Sequence, residues 1–285
     1  MLGLLVQFCT NHKEMDAISS LLASVTLDLS QYALDIVKGL ANQLKSNSPR
    51  LMDEAVLALR NLARQCSDSS ATEALTKHLF AILGGSEGKL TIIAQKMSVL
   101  SGIGSLSHHV VSGPSGQVLN GCVAELFIPF LQQEVHEGTL VHAVSILALW
   151  CNRFTTEVPK KLTDWFKKVF SLKTSTSAVR HAYLQCMLAS FRGDTLLQAL
   201  DFLPLLMQTV EKAASQGTQV PTVTEGVAAA LLLSKLSVAD AQAEAKLSGF
   251  WQLVVDEKRQ TFTSEKFLLL ASEDVFIGLV RWLSR

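Results

Sequence analysis

Apolar positions recur with a helical period along most of the chain. Leu29, Tyr32, Ala33, Ile36, Val37, Leu40, Ala41 and Leu44 follow one another at alternating spacings of three and one, which places them on one stripe of a helix. Gln31, Asp35, Lys38, Asn42 and Lys45 take the opposite side. Ser46-Asn47-Ser48-Pro49 ends this helix, and Pro49 suits the first turn of the next, because its missing N–H would have no helical partner there. The second helix repeats the stripe with Met52, Ala55, Val56, Leu59, Leu62 and Ala63. Ser70 to Glu73 reads as a capping box opening a third helix, which runs to about Leu83 and pairs with Lys89–Leu106. Leu119–Gln133 pairs with Leu140–Phe154, and Pro159–Phe170 with Ser177–Phe191. Thr195–Ala214 pairs with a helix whose capping box is Thr222 to Glu225, and Ala239–Val255 is followed by Ser264–Leu283.

The second helices of these pairs can be laid over one another. Their segments start at Asp53, Ile93, Val141, Val179 and Thr224, separated by 40, 48, 38 and 45 residues. Helix pairs recurring at about 40–47 residues mark HEAT and armadillo arrays. Two helices per repeat favour the HEAT type. The expected fold is therefore all-α, an α-solenoid of HEAT-like antiparallel helix pairs, in which stacking buries the apolar faces that no pair can bury alone. The pairs are expected at about residues 28–66, 72–107, 115–154, 158–191, 195–236 and 238–283 of a single solenoid, with residues 1–16 and 275–285 as atypical ends. Apolar residues crowd both ends, Leu2 to Phe8 and Phe276 to Trp282, so the ends are expected to be poorly covered and prone to association.

Composition agrees. Apolar residues are 48 % of the 285 and charged ones 18 %, which excludes a disordered chain. Leu and Ala dominate, with only 2 Tyr and 6 Pro, which disfavours sheets. The five cysteines form no CxxC pair and read as reduced thiols on helix faces. The apolar start lacks a basic region and a cleavage site, and no apolar run reaches the ~18–20 residues that span a bilayer, so a soluble cytoplasmic protein is expected.

No constellation for catalysis is present. Gly84-Gly85-Ser86-Glu87-Gly88-Lys89 looks at first like a phosphate loop. It lacks a Gly at position 83, has Leu90 where Ser or Thr would bind magnesium, and follows an amphipathic helix rather than a strand. A helix C-cap and turn is the better reading. His136 and His142 lie six apart, which does not put them on one helix face, and His108-His109 has no Cys or second cluster beside it. Neither an enzyme, a metal, a cofactor nor a small-molecule substrate is expected.

Charge changes the picture more. The chain has 25 basic and 25 acidic residues, net zero, but residues 1–152 carry −3, residues 153–192 carry +6 and residues 193–285 carry −3. The excess comes from Arg153, Lys160, Lys161, Lys167, Lys168, Lys173, Arg180 and Arg192 against Glu157 and Asp164. Lys160 and Lys167, like Lys161 and Lys168, are seven apart, two helical turns, and so share one stripe, with Trp165 and Phe166 interleaved. Such a stripe is either a solvated outer face or a contact for a polyanion. Lys160, Lys161, Lys167, Lys168, Lys173, Arg180 and Arg192 are the candidate contacts.

Several stretches are more specific than any repeat pattern. Leu51 to Cys66, Glu134 to Val144, Phe166-Lys167-Lys168 and Ser175 to Tyr183 closely resemble the vertebrate general-control-non-derepressible translational activators, over about residues 17–274. That resemblance implies long HEAT-repeat proteins that bind ribosomes, including stalled ones, and help the kinase acting on initiation factor two alpha respond to amino-acid starvation. The implied partners are the ribosome, with ribosomal RNA as the polyanion, and the stress-response kinase. The matching region is N-terminal, and the kinase-docking region of that family is absent from the match. Residues 1–16 resemble a family segment that further helices should follow, so the join near Asp16-Ala17 resembles a skipped segment, and the tail from Val275 departs from the family. A fragment or splice form is expected. The competing reading is a generic HEAT interaction scaffold of the transport-receptor or phosphatase type, whose inner surface would be acidic rather than basic.

Overall fold

A computed structural model describes residue 6 and residues 9–109, 114–154, 156–172, 175–216, 220–236 and 241–254, with Val280 and Ser284. Among these residues every regular element is helical. The helices are α1 (His12–Ser24), α2 (Ala33–Leu44), α3 (Pro49–Arg64), α4 (Ser69–Leu83), α5 (Ile93–Leu106), α6 (Pro114–Gln133), α7 (Glu137–Cys151), α8 (Lys160–Ser171), α9 (Ser177–Ser190), α10 (Leu203–Gln216), α11 (Val220–Leu236) and α12 (Ala241–Val254). Short 3-10 segments cover Ser30–Tyr32, Ser107–His109 and Gly193–Phe202. The chain divides into two compact units, Met1–Arg153 and Phe154–Arg285.

In the first unit the pairs α2–α3, α4–α5 and α6–α7 stack in two layers. One layer is α2, α4 and α6. The other is α1, α3, α5 and α7, each packed on the next. In the second unit α9 packs on α11 and α10 on α12, while α8–α9 and α10–α11 form the pairs. This is α-solenoid packing within each unit, and the apolar stripes become its core. Ile36, Val37, Leu40, Ala41 and Leu44 of α2 face Ala55, Leu59 and Leu62 of α3, and all are essentially inaccessible to water. Close approach is local: a Cβ on Gly102 of α5 would lie 3.1 Å from Leu59 and 3.2 Å from Leu44. The Trp150 indole of α7 donates to the Ile103 carbonyl of α5 across 3.3 Å.

Several local expectations are corrected. The first helix begins as a 3-10 turn, because the Asp28 carboxylate accepts the Ser30 N–H and hydroxyl, and Tyr32 is exposed rather than part of the stripe. Asp28 also accepts from the Ser67 N–H and hydroxyl, tying the turn before α2 to the turn after α3. These bonds hold its carboxyl well below the usual carboxylate range. The cap of α4 is Asp68, not Ser70, and Glu73 pairs with Lys77 one turn on. The box at Thr222 fails in the same way: α11 already starts at Val220, and Glu225 turns to a partner in another helix. The Gly84–Lys89 segment is a turn, with φ of 92° at Gly85 and 101° at Gly88, positions where a side chain would be strained. Glu87 in that turn pairs with Lys45 at 2.7 Å.

One helix was not expected. α1 runs through the join at Asp16-Ala17, capped by Asn11, whose side chain accepts from the Lys13 and Glu14 N–H groups at 3.1 Å each. It buries Met15, Ser19 and Leu22 against α3. Two buried amides fix this end. The Asn61 side chain of α3 donates to the carbonyl and hydroxyl of Ser19, both at 3.0 Å. The Gln43 side chain donates to the Val6 carbonyl at 3.1 Å and to the Cys9 carbonyl at 3.2 Å. Val6 itself is fully buried, so the expectation of an uncovered apolar start fails at that residue. Leu2, Leu4, Leu5 and Phe8 lie outside the described residues, as do the helix expected over Ser264–Leu283 and the apolar tail apart from Val280 and Ser284. Asn61→Ala is expected to destabilise the unit by about 1–3 kcal/mol, because it strands the buried Ser19 hydroxyl and carbonyl. Urea unfolding would check this, and a change within error of zero would show that the amide is not needed.

In four of this unit's six histidines, His78, His108, His109 and His142, burial is the first cause pushing the imidazole below its ordinary value, to about 4 for His109. The unfolded chain therefore takes up protons below about pH 6.5 that the folded chain refuses. Stability is fully present above pH 6.5 and falls as pH drops toward 4. A Tm several degrees lower at pH 5 than at pH 7.5, partly restored by His109→Gln, is the expected result of a melting series.

Candidate functional site: the lysine face of α8

The second unit opens with α8, the helix that carries the lysine stripe. Its inward side is Leu162, Trp165, Phe166 and Val169, all buried. The Trp165 indole N–H donates to the Tyr183 hydroxyl of α9 across 2.9 Å, and burial raises that phenol's pKa far enough to keep it protonated. Phe166 meets Tyr183, Phe191 and Phe202 edge-on, with centroids 6.1–6.3 Å apart. The aromatics interleaved with the lysines thus pack inward, and they fix the rotation of α8 about its axis.

That rotation turns Lys160, Lys161, Lys167 and Lys168 outward, and all four are exposed. Their spacing places them within about a third of the helix circumference. The face is not purely basic. Asp164 sits one turn from Lys160 and Lys168 on the same side and is exposed. Lys167 pairs with Asp201 at 2.9 Å and lies 5.6 Å from the Phe202 ring centre. Lys168 lies 5.5 Å from the Trp165 ring centre. Both ammonium groups are steadied by aromatic rings, a contribution of about 0.5–1 kcal/mol at an exposed site. The Lys167–Asp201 pair is open to solvent, so an anionic partner could displace it cheaply.

The remaining candidates separate. Arg192 is exposed in the turn leading into the 3-10 segment Gly193–Phe202. Lys173 lies outside the described residues. Arg180 does not join the face. Its guanidinium holds Glu225 of α11 bidentately, at 2.6 Å from Nε and 3.0 Å from an outer nitrogen, and also donates to the Ser175 carbonyl and the Ser177 hydroxyl. Arg180 and Glu225 form one wall of a cleft of about 420 Å³ that Lys212 and Thr209 complete. Sequence distance hides this: the two partners are 45 residues apart, and neither carries a local signal of the other.

Among the described residues no group of three His, Cys, Asp or Glu side chains could hold a metal ion, and no helix is long and apolar enough to cross a membrane.

Known proteins resemble this chain closely. The family model for the N-terminal part of the stalled ribosome sensor GCN1 matches residues 14–90, which lie in the first unit and do not include α8. All of the chain aligns with the stalled ribosome sensor GCN1 of mouse at 79 % identity and with that of human at 70 %, in each case over 350 positions. Protein ILITYHIA of Arabidopsis thaliana is 26 % identical over 88 % of the chain. The alignments with the mouse and human relatives cover 13 % of the relatives' length, and that with the plant protein 9 %. No solved structure matches. An alignment of 350 positions exceeds the 285 residues it contains, so the mouse and human proteins have positions that this chain skips. Along its whole length, α8 included, the chain is similar to the stalled ribosome sensors GCN1, and the resemblance carried by Leu51–Cys66, Glu134–Val144 and Ser175–Tyr183 stands.

Proposed function

We propose that this chain is a non-enzymatic helical-repeat scaffold that binds ribosomes, with the exposed lysine face of α8 meeting ribosomal RNA or another anionic ribosomal surface. One observation carries the reading: an aromatic anchor locks Lys160, Lys161, Lys167 and Lys168 outward on a chain 79 % and 70 % identical to proteins named for sensing stalled ribosomes. Arg192, exposed in the turn after α9, and Lys173, by its place in the sequence alone, belong to the same proposed set of contacts. The two units serve as consecutive parts of one repeat array, and a ribosome partner places the chain in the cytoplasm. Coupling to phosphorylation of initiation factor two alpha belongs to the same proposal, with this chain retaining part of that role.

The test is co-sedimentation of the chain with purified ribosomes over a salt series. Phosphate contacts by several cations weaken steeply with salt, by about 10³-fold or more between roughly 50 and 200 mM when six or more are made. Binding at low salt that falls steeply across that range supports the proposal. No binding at low salt, or binding indifferent to salt, contradicts it. Adding the kinase and uncharged tRNA to the same mixture then separates ribosome binding from kinase activation.

A further inference from the structure

A running count of charge finds one basic segment, but folding assembles a second basic cluster. In the unit Met1–Arg153, helices α3, α5 and α7 lie side by side in one layer. Each is the second helix of an antiparallel pair, so all three run the same way and their C-terminal ends share one edge. Arg60 and Arg64 stand on the last two turns of α3, four apart and hence on one face. His108 and His109 form the 3-10 turn that follows α5, and Arg153 lies two residues beyond α7. Arg60, Arg64 and His108 are exposed, and His109 and Arg153 are half-buried.

Three features distinguish this edge from an ordinary solvated one. First, none of the three arginines takes part in an ion pair among the described residues. Secondly, the histidines feel these arginines together. After burial, the charges of Arg60 and Arg153 hold down His108, and those of Arg60, His108, Arg64 and Arg153 hold down His109, with no carboxylate acting on either. Thirdly, Nε2 of His109 is buried without a hydrogen-bond partner. A cation at a helix C-terminus is favourable by about 0.3–1 kcal/mol, which accounts for one cation at each helix end. It does not account for three arginines gathered without a counter-charge.

We propose that this edge binds the phosphodiester backbone of RNA. Guanidinium groups match phosphate oxygens as two-pronged donors. Neighbouring helices sit about 8–10 Å apart, so three of them spread the arginines over roughly 20 Å, enough for several phosphates of one strand. Imidazoles that stay neutral at pH 7 can stack on a base or bond a 2′-hydroxyl, which an RNA offers and an acidic peptide does not. Asp164 and Asp201 interrupt the lysine face of α8, whereas no carboxylate acts on the imidazoles here. The edge lies in the other unit, and its role does not depend on that face.

The test uses the full 285-residue chain and a fluorescein-labelled 20-nucleotide oligouridine, read by anisotropy over a salt series. The triple variant Arg60→Gln, Arg64→Gln, Arg153→Gln is expected to raise Kd about ten-fold or more at roughly 50 mM salt and to flatten the slope of log K against log salt by about 2, as for three lost contacts on a single strand. The matching Arg→Lys triple variant keeps the charge and is expected to keep the slope, which shows that the loss is not one of folding. A variant with Lys160, Lys161, Lys167 and Lys168 changed to Gln is expected to show the same drop in slope when the three arginines are then removed. An unchanged Kd and slope in the Gln triple variant, or no binding by the wild-type chain, overturns the proposal. So does displacement of the RNA by poly-glutamate of equal charge at equal concentration, which would assign the edge to an acidic protein.

Discussion

Arg180→Ala is expected to destabilise the unit Phe154–Arg285 by about 3–5 kcal/mol, the cost of stripping a buried charge of its partner. The Glu225 side chain is 6 % exposed and the Arg180 side chain 18 %, and the pair joins α9 to α11 through two parallel hydrogen bonds. Alanine leaves the carboxylate buried with no counter-charge, and the Ser175 carbonyl and Ser177 hydroxyl lose a donor. Arg180→Lys keeps a charge but not the fork, so it recovers only part of the loss. The double variant Arg180→Met, Glu225→Leu removes both charges and is expected to be more stable than Arg180→Ala. Urea unfolding of the four proteins checks the order. If Arg180→Ala unfolds within about 1 kcal/mol of the wild type, the pair is solvated and its structural role is wrong. The same result would return Arg180 to the surface available for a partner.

Gly226→Ala is expected to cost about 1–3 kcal/mol or more, although glycine to alanine inside a helix ordinarily gains close to 1 kcal/mol. A Cβ on Gly226 of α11 would lie 2.3 Å from the Cβ of Ala213 in α10, and 3.3 Å from the Phe250 ring of α12. Neither Cβ can rotate away, so the helices must separate and the core around Val223, Ala230 and Phe250 must open. Gly104 offers the contrast. A Cβ there would lie 2.7 Å from Cδ1 of Ile146, the far end of a side chain that can turn aside. Gly104→Ala should therefore be much milder. Ala213→Gly in the Gly226→Ala background should restore part of the stability, since it removes the other half of the clash. A Gly226→Ala protein that melts higher than the wild type would show that α10 and α11 do not approach this closely.

The fold was largely legible because amphipathic periodicity is a local property. The stripe of α2 needs only its own residues to be seen, and the recurrence of second helices at about 40 residues needs only the chain. Caps were less legible, because neighbouring residues compete for the same amides. Asp68 and Ser70 both fit a cap, and the chain uses Asp68, two residues earlier. The signal for α1 was present in Asn11 and Glu14, three residues apart, but the apolar stripe behind it, Met15, Ser19 and Leu22, contains a serine. That serine is buried only because Asn61 reaches it from 42 residues away.

The site was legible to a similar depth. Phasing alone placed four lysines on one face. Asp164 could have been read as the acid within that face, since it lies four residues from Lys160 and from Lys168. The neutralising Asp201, 34 residues from Lys167, and the partner of Arg180 could not, because the pairs that decide whether a cation is free are made between helices. The arginine edge of the first unit was hidden for the same reason, with Arg60 and Arg64 in a segment whose net charge is −3 and Arg153 just beyond it.

The central claim is that the lysine face of α8 is a ribosome contact. It is tested most directly by changing Lys160, Lys161, Lys167 and Lys168 to Gln together and pelleting the chain with ribosomes at low salt. These side chains are exposed, so the variant should stay folded, losing no more than about 1–2 kcal/mol with the ring contacts of Lys167 and Lys168. The account predicts that the bound fraction falls at least ten-fold and that the remaining binding depends less steeply on salt, in proportion to the contacts removed. A variant that pellets with ribosomes as well as the wild type, with an unchanged salt dependence, would contradict it.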